Sequence, residues 1–266
     1  MNREPKPALF NTPMVFALGV GDKTVTRRPV KGKALDTIYR LLGGGFPIEQ
    51  LGQGVMTDHT FVVWDKRRDR LDESHESFAA PTPFGTDGGI VWVRETHAHH
   101  IHAVSAATDR EGPFTYLATD WAARWRLGDK WTPNIHMPKE ACRLFFTVKS
   151  VRIEYLTAIT PEEVAKEGMA TITKDGATYK HGLPDIDGLP GTDNIGWAWA
   201  DWEADPVEAF KRLWLTTGGE WNAEQLVWRY ELEACAAPPG WPTPGGQKSQ
   251  VRNAATALLD SNGGIQ

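Results

Sequence analysis

Cysteine, long apolar runs and surplus positive charge are all scarce in this chain, and each scarcity removes a class of protein. Only two cysteines, Cys142 and Cys235, occur in the 266 residues, far apart and without metal-type spacing. A disulfide framework is therefore excluded, and both read as small, reduced, partly buried side chains. No uncharged apolar stretch approaches the ~20 residues that a membrane span needs, and the opening segment MNREPKPALF has no signal-peptide core. The expectation is a cytoplasmic protein without membrane association. The formal charge of −5 argues against a broad, sequence-independent grip on a nucleic-acid backbone, which relies on many Lys and Arg contacts to phosphate. A local basic patch remains compatible with it. The length suits one substantial core, read as a single domain over residues 1–235 with large insertions at 32–88 and 99–142.

A nucleotide-binding loop is also missing, although GVGDKTVTRR, residues 19–28, has its glycines and its Lys-Thr pair. A phosphate loop places Gly directly before the Lys and runs from a strand into a helix N-terminus. Here Asp22 precedes Lys23. Upstream, Thr12 reads as an N-cap, Pro13 suits the first helical position, and Met14 to Leu18 form an apolar helical run that Gly19 and Gly21 stop. Lys23 then follows the negative end of a helix, which repels phosphate. The β-branched run that closes at Pro29 predicts a strand over about 24–30.

The chain does have twelve tryptophans. Most are expected in packing, with some available as stacking walls for a planar ligand. Residues 32–60, with GGGFP and GQG, read as a turn-rich insertion. Phe61-Val62-Val63-Trp64 is a short candidate strand, followed by a solvated charged run. Strands are predicted at about 89–97, 143–156 and 225–235, the last from its alternation of Leu226, Trp228, Tyr230 and Leu232 with polar partners. Residues 99–141 read as irregular. Two helices carry strong start signals, Thr160-Pro161-Glu162-Glu163 as a capping box and Asp205-Pro206-Val207-Glu208 as the same device. Residues 236–266, with APPGWPTPGGQKS, have the composition of a disordered tail. Few strands, small helices and no βαβ alternation predict an α+β domain built on a small curved sheet or barrel.

Two places stand out chemically. Glu167, in the last turn before Gly168, sets a carboxylate against the negative end of its own helix, at a typical cost of ~0.3–1 kcal/mol; an exposed Glu that tolerates this is the plainer reading. Lys23 and Thr26 converge only if Lys23 still belongs to the turn after Gly21. A buried Lys beside a Thr hydroxyl can take its proton and make Thr26 a nucleophile, whereas otherwise Lys23 caps the helix and Thr24 and Thr26 are ordinary strand residues. His97, His99, His100 and His102 suggest a metal hydrolase, but at most two share a strand face and no HExxH or paired Cys accompanies them, so no metal is expected.

GDKTVTRR, GGIVWVRET, PEEVAKEGM and LVWRYELE, in that order, resemble the ASCH family, whose fold is a PUA-like small β-barrel with flanking helices. WTPNIHMP, residues 131–138, is similar to a segment of phage and prophage members, which implies a host-cytoplasmic, phage-type protein. Some small bacterial members are amidohydrolases that deacylate N4-acetylcytidine with a Lys, a Thr three residues later and a Glu in an E-N-M-like stretch. The resemblance implies Lys23, Thr26 and Glu167 as catalytic residues, with Gly168 standing where the family has Asn. It further implies Thr24, Arg27, Arg28 and Glu95 as substrate-binding residues, together with His136 of the proline-flanked NIHMP segment. No cofactor is implied, and the partner is a modified nucleoside or base, with RNA as an option. The alternative it leaves open is a non-catalytic RNA or modified-base reader in which aromatics and Arg27 or Arg28 hold a base.

Overall fold

The computed structural model describes residues 4–43, 48, 56–57, 60–62, 79–85, 87–99, 114–120, 131–185, 187–191 and 195–242. Its centre is a five-stranded mixed sheet assembled from β1 (Lys6–Leu9), β2 (Val25–Pro29), β6 (Ile90–Arg94), β9 (Phe145–Tyr155) and β12 (Leu226–Cys235). The spatial order is β1-β6-β9-β12-β2. Only the β1–β6 pair is parallel. The long β9–β12 ribbon forms its spine and shifts register between Glu231 and Leu232, a bulge that bends and twists the strand locally. β1 and β2 lie at opposite edges, and the sheet is open.

Helix α1 (Thr12–Val20) joins those two edge strands. It buries Met14, Val15, Ala17 and Leu18, as expected of a helix apolar on every side. Its N-cap is Asn11, whose side chain accepts the Met14 N–H at 3.1 Å, so Thr12 is the first helical residue and not the cap. Nor does Gly19 stop it: the helix continues to Val20 and ends at Gly21, whose φ of 92° is the left-handed cap that glycine tolerates.

The region 32–60 is not simply turns. α2 (Lys33–Gly43) occupies its start and sends Ala34 and Ile38 into the core. It begins without a Ser, Thr, Asp or Asn cap and runs into the glycines at 43–45, which masks its helical period. Next come a small three-stranded sheet, β3 (Met56–Thr57), β4 (Thr60–Val62) and β5 (Ala79–Pro81), and a two-stranded one, β7 (His97–His99) with β8 (Phe114–Tyr116). The second insertion thus holds β-structure where irregular chain is expected. The charged run at 65–77 lies outside the described residues, as do Val63 and Trp64.

The capped helices form as read. α3 (Pro161–Lys166) is capped by Thr160, which accepts from Glu163 N–H. α4 (Pro206–Thr216) is capped by Asp205, which accepts from Val207 and Glu208 N–H, and it buries Phe210, Leu213 and Trp214. Between them lies an unexpected hairpin, β10 (Ala170–Thr173) with β11 (Tyr179–Gly182). Its strands carry Lys and His where a buried face needs apolar residues, so the sequence offers little periodic signal. The beginning of the C-terminal extension is also placed: Trp241 packs on Trp92 and Phe145 with ring centroids 5.5 and 5.1 Å away, and its indole N–H donates to Lys139 O at 2.9 Å. Residues 243–266 lie outside the described ones. No helix among the described residues is long and apolar enough to cross a membrane.

Candidate active site

The junction of α1 and β2 builds the site. Once Gly21 has turned the chain, Lys23 N–H donates back to Ala17 O, and Lys23 forms an isolated antiparallel bridge with Glu167 at the end of α3. Thr24 N–H donates to Lys166 O beside it. These backbone bonds carry the Lys23 side chain inward, where its Nζ lies 2.5 Å from Glu167 Oε2 and donates to Glu167 O at 2.9 Å. Both residues are 3 % exposed. Glu167 is therefore a buried ion-pair partner and not an exposed carboxylate. Gly168 makes the approach possible: at φ 89°, a Cβ there would stand 2.9 Å from Ala17 Cβ and 3.0 Å from Lys23 Cβ.

Arg27 holds the other oxygen of Glu167. Its Nη1 donates to Glu167 Oε1 at 2.8 Å, its Nε to Glu154 Oε1 at 2.8 Å and its Nη2 to Glu163 Oε2 at 3.0 Å. Arg229, paired with Arg27 across the β12–β2 ladder, forks onto both oxygens of Glu163 at 2.7 and 2.9 Å. Glu163 is the acid of the capping box, yet its carboxylate turns away from the helix start to these cations. Burial pushes the Glu163 carboxyl up, but the bonds from Arg229, Lys166 and Arg27 outweigh it and hold the group well below the usual carboxylate range. For Lys23 the balance is reversed. Burial lowers its ammonium below the ordinary lysine value although Glu167 pulls it up.

A cavity of about 550 Å³ opens over this pair. Lys23, Thr26, Arg27, Arg28 and Glu167 all line it, with Phe10, Phe210 and Trp214 as apolar walls. Its size is that of a small-ligand pocket, apolar with a few convergent polar groups. Thr26, 2 % exposed, pairs with Tyr230 in the sheet. Its hydroxyl makes no hydrogen bond among the described residues. The Arg28 guanidinium lies 4.7 Å from the centroid of Phe10 and 5.3 Å from that of Phe84 and donates to Leu9 O at 2.8 Å, a fixed cation at the cavity wall.

Three expected site residues lie elsewhere. Thr24 is exposed on the strand edge. Glu95 is fully buried and accepts from Arg143 Nε and Nη2 at 2.8 and 2.9 Å, an internal ion pair apart from the cavity lining. His136 is exposed and does not line the cavity, although its neighbour Asn134 does. The proline-flanked turn points Asn134 and His136 differently, which the sequence pattern could not distinguish. Of the histidine run, His97 is buried with Phe114 against it, His99 is exposed, and His100 and His102 lie outside the described residues. Among the described residues no group of three or more His, Cys, Asp or Glu could hold a metal ion.

No family model, curated protein or solved structure matches this chain. The site's chemistry therefore rests on its own geometry. Sequence reasoning missed Glu154 and Glu163 as partners of Arg27 and Arg229 as a second partner of Glu163, since their spacing in the chain carries no signal, and it missed Phe10, Trp214 and Asn134 as cavity walls. Only the unusual tryptophan content pointed toward such walls.

Proposed function

We propose that this protein is an amidohydrolase of the ASCH type acting on N4-acylated cytosine nucleosides or a related modified base, on a PUA-like variant of the α+β sheet. The observation that supports it is the convergence of Lys23, Thr26 and Glu167 on one aromatic-walled cavity. In this reading the neutral Lys23 amine takes the proton of Thr26 Oγ1 as that oxygen attacks the acyl carbon. The resulting Lys23 ammonium then gives the proton to the departing N4, leaving the free cytosine nucleoside and a Thr26 acyl ester. Water hydrolyses the ester to free acid and Thr26. Burial favours the neutral amine that the first step needs. Glu167 orients Lys23 and is itself held by Arg27.

A second reading, a non-catalytic binder of a modified base, is favoured by one observation. Lys23 Nζ donates twice to Glu167, and no bond joins it to Thr26. For the enzyme, that bond must form when substrate enters, as catalytic hydrogen bonds often do.

Hydrolysis of N4-acetylcytidine and longer N4-acylcytidines, followed chromatographically, tests the proposal. Turnover should rise with pH and level off below the ordinary lysine range. Thr26→Ala, Lys23→Ala and Glu167→Ala should each lower it by orders of magnitude with melting curves showing folded protein, and combining them should add little. Folded wild-type protein inert on the whole series, yet binding a nucleoside through Lys23, would replace the enzyme with the binder.

A further inference from the structure

The WTPNIHMP segment belongs to the second insertion, and one of its residues enters the cavity. Asn134 begins a single 3-10 turn, Asn134–His136, and lines the cavity beside Phe10. The turn is anchored on several sides. Arg94 donates to Ile135 O. Met137 is 2 % exposed and accepts the Glu95 N–H at its sulfur. Thr132 bridges to His97, and Trp241 fastens Lys139 from the C-terminal side. Asn134 is thus carried by a rigid support and not by a free loop, the condition for a side chain that discriminates between ligands.

Its amide orientation follows from its one partner. Asn134 Nδ2 donates to Phe10 O at 2.8 Å. A carbonyl only accepts, so the NH₂ end must face Phe10, and Oδ1 is left as an acceptor. Oδ1 makes no hydrogen bond among the described residues. Phe10 links this acceptor to the reacting end of the cavity, since Lys23 Nζ lies 6.0 Å from its ring centroid. Of the cations there, Lys23 is paired with Glu167 and Arg27 with Glu154, Glu163 and Glu167, while Arg28 is held against the Phe10 and Phe84 rings. At the Asn134 end a ligand meets a carbonyl oxygen, which takes an N–H or O–H and not an anion.

We propose that Asn134 is a specificity-determining residue of this cavity, its Oδ1 accepting a hydrogen bond from an N–H or O–H of a nucleoside. The proposal rests on the nucleoside reading above but not on catalysis. The test is calorimetric titration of wild type and Asn134→Ala with cytidine, its 2′-, 3′- and 5′-deoxy analogues, and zebularine, which lacks the 4-amino group. One analogue should bind wild type about tenfold more weakly than cytidine, the cost of one acceptor left unpaired. Asn134→Ala should bind that analogue and cytidine equally. A residue that merely props the Phe10 loop would, when removed, weaken every ligand by the same factor, and that result overturns the proposal. So does equal discrimination by both proteins, which leaves the nucleoside reading intact if N4-acetylcytidine is still turned over. Wild type that binds none of the five and hydrolyses no N4-acylcytidine sinks both. Binding that discriminates through Asn134 without turnover keeps this proposal and removes the enzyme.

Discussion

Replacing Gly168 by Ala perturbs the site at its tightest point without touching a charge. The residue sits at φ 89°, where an L side chain costs roughly 1–2 kcal/mol. The added methyl also meets Ala17 Cβ at 2.9 Å and Lys23 Cβ at 3.0 Å. Ala17 is on a buried helix and Lys23 is held by its bridge to Glu167, so neither yields freely, and overpacking of this kind costs about 1–3 kcal/mol. Together these predict a loss of about 3 kcal/mol, or a fall in Tm of roughly 6–12 °C for a domain of this size. Gly168→Asn isolates the two causes, because Asn tolerates the left-handed conformation but keeps the Cβ. It should recover part of the loss and no more. Urea unfolding of both variants and of Gly168→Ala combined with Ala17→Gly measures the crowding directly, as a coupling that makes the double variant more stable than the sum of the single changes predicts. Gly168→Ala within about 0.5 kcal/mol of wild type, the usual range for a neutral surface change, would show that the α1–α3 contact is loose and that Lys23 is not fixed by it.

Two further outcomes follow from the charge network and the C-terminal segment. Because Glu163 titrates below its unfolded value, its contribution is fully present above an unfolded carboxyl pKa of about 4.3 and is lost as pH falls toward the lower folded value; Glu163→Gln should flatten this acid limb of the stability curve, and an unchanged limb would refute the assignment. Glu163→Ala, which leaves Arg229 and part of Arg27 unpaired, should cost about 3 kcal/mol at pH 7 by chemical denaturation. A chain ending at residue 236 should melt below one ending at 242, since it loses the Trp241 contacts with Trp92 and Phe145, each worth about 0.5–1.5 kcal/mol. Equal melting would mean that Trp241 adds nothing to the sheet.

What was legible in the sequence divides along physical lines. β2, β9 and β12 are β-branched and aromatic, and α3 and α4 begin with Thr-Pro and Asp-Pro, so local chemistry agrees with the fold at each. α2 lacks such a start, and the β10–β11 hairpin lacks a buried face, so the rules that found the others pass over both. The order of the sheet is a different matter. β1 pairs with β6 across some 80 residues and the whole first insertion, and no local pattern encodes that partner choice.

The site shows the same division more sharply. Lys23, Thr26 and Glu167 were each suspect on local grounds, a Lys after a helix end, a Thr near it, a carboxylate at the wrong pole of a helix. The structure explains the last of these without appeal to tolerance. Glu167 stands at the negative end of α3 because Lys23 and Arg27 supply it with two buried positive partners, and charge-assisted bonds of that kind outweigh the ~0.3–1 kcal/mol of the dipole. The arrangement has a consequence for Lys23. Arg27 competes for the same carboxylate and is tied down in turn by Glu154 and by Glu163, which Arg229 also holds. Lys23 therefore shares Glu167, its one anionic partner among the described residues, with a cation that cannot lose its proton. A lysine in that position, removed from water, is the member of the cluster that gives up charge at least cost. Arg27, read from sequence as a base-binding residue, is on this argument a positioning residue that holds Glu167 against Lys23, while burial is the main cause that lowers the Lys23 ammonium below the ordinary lysine value.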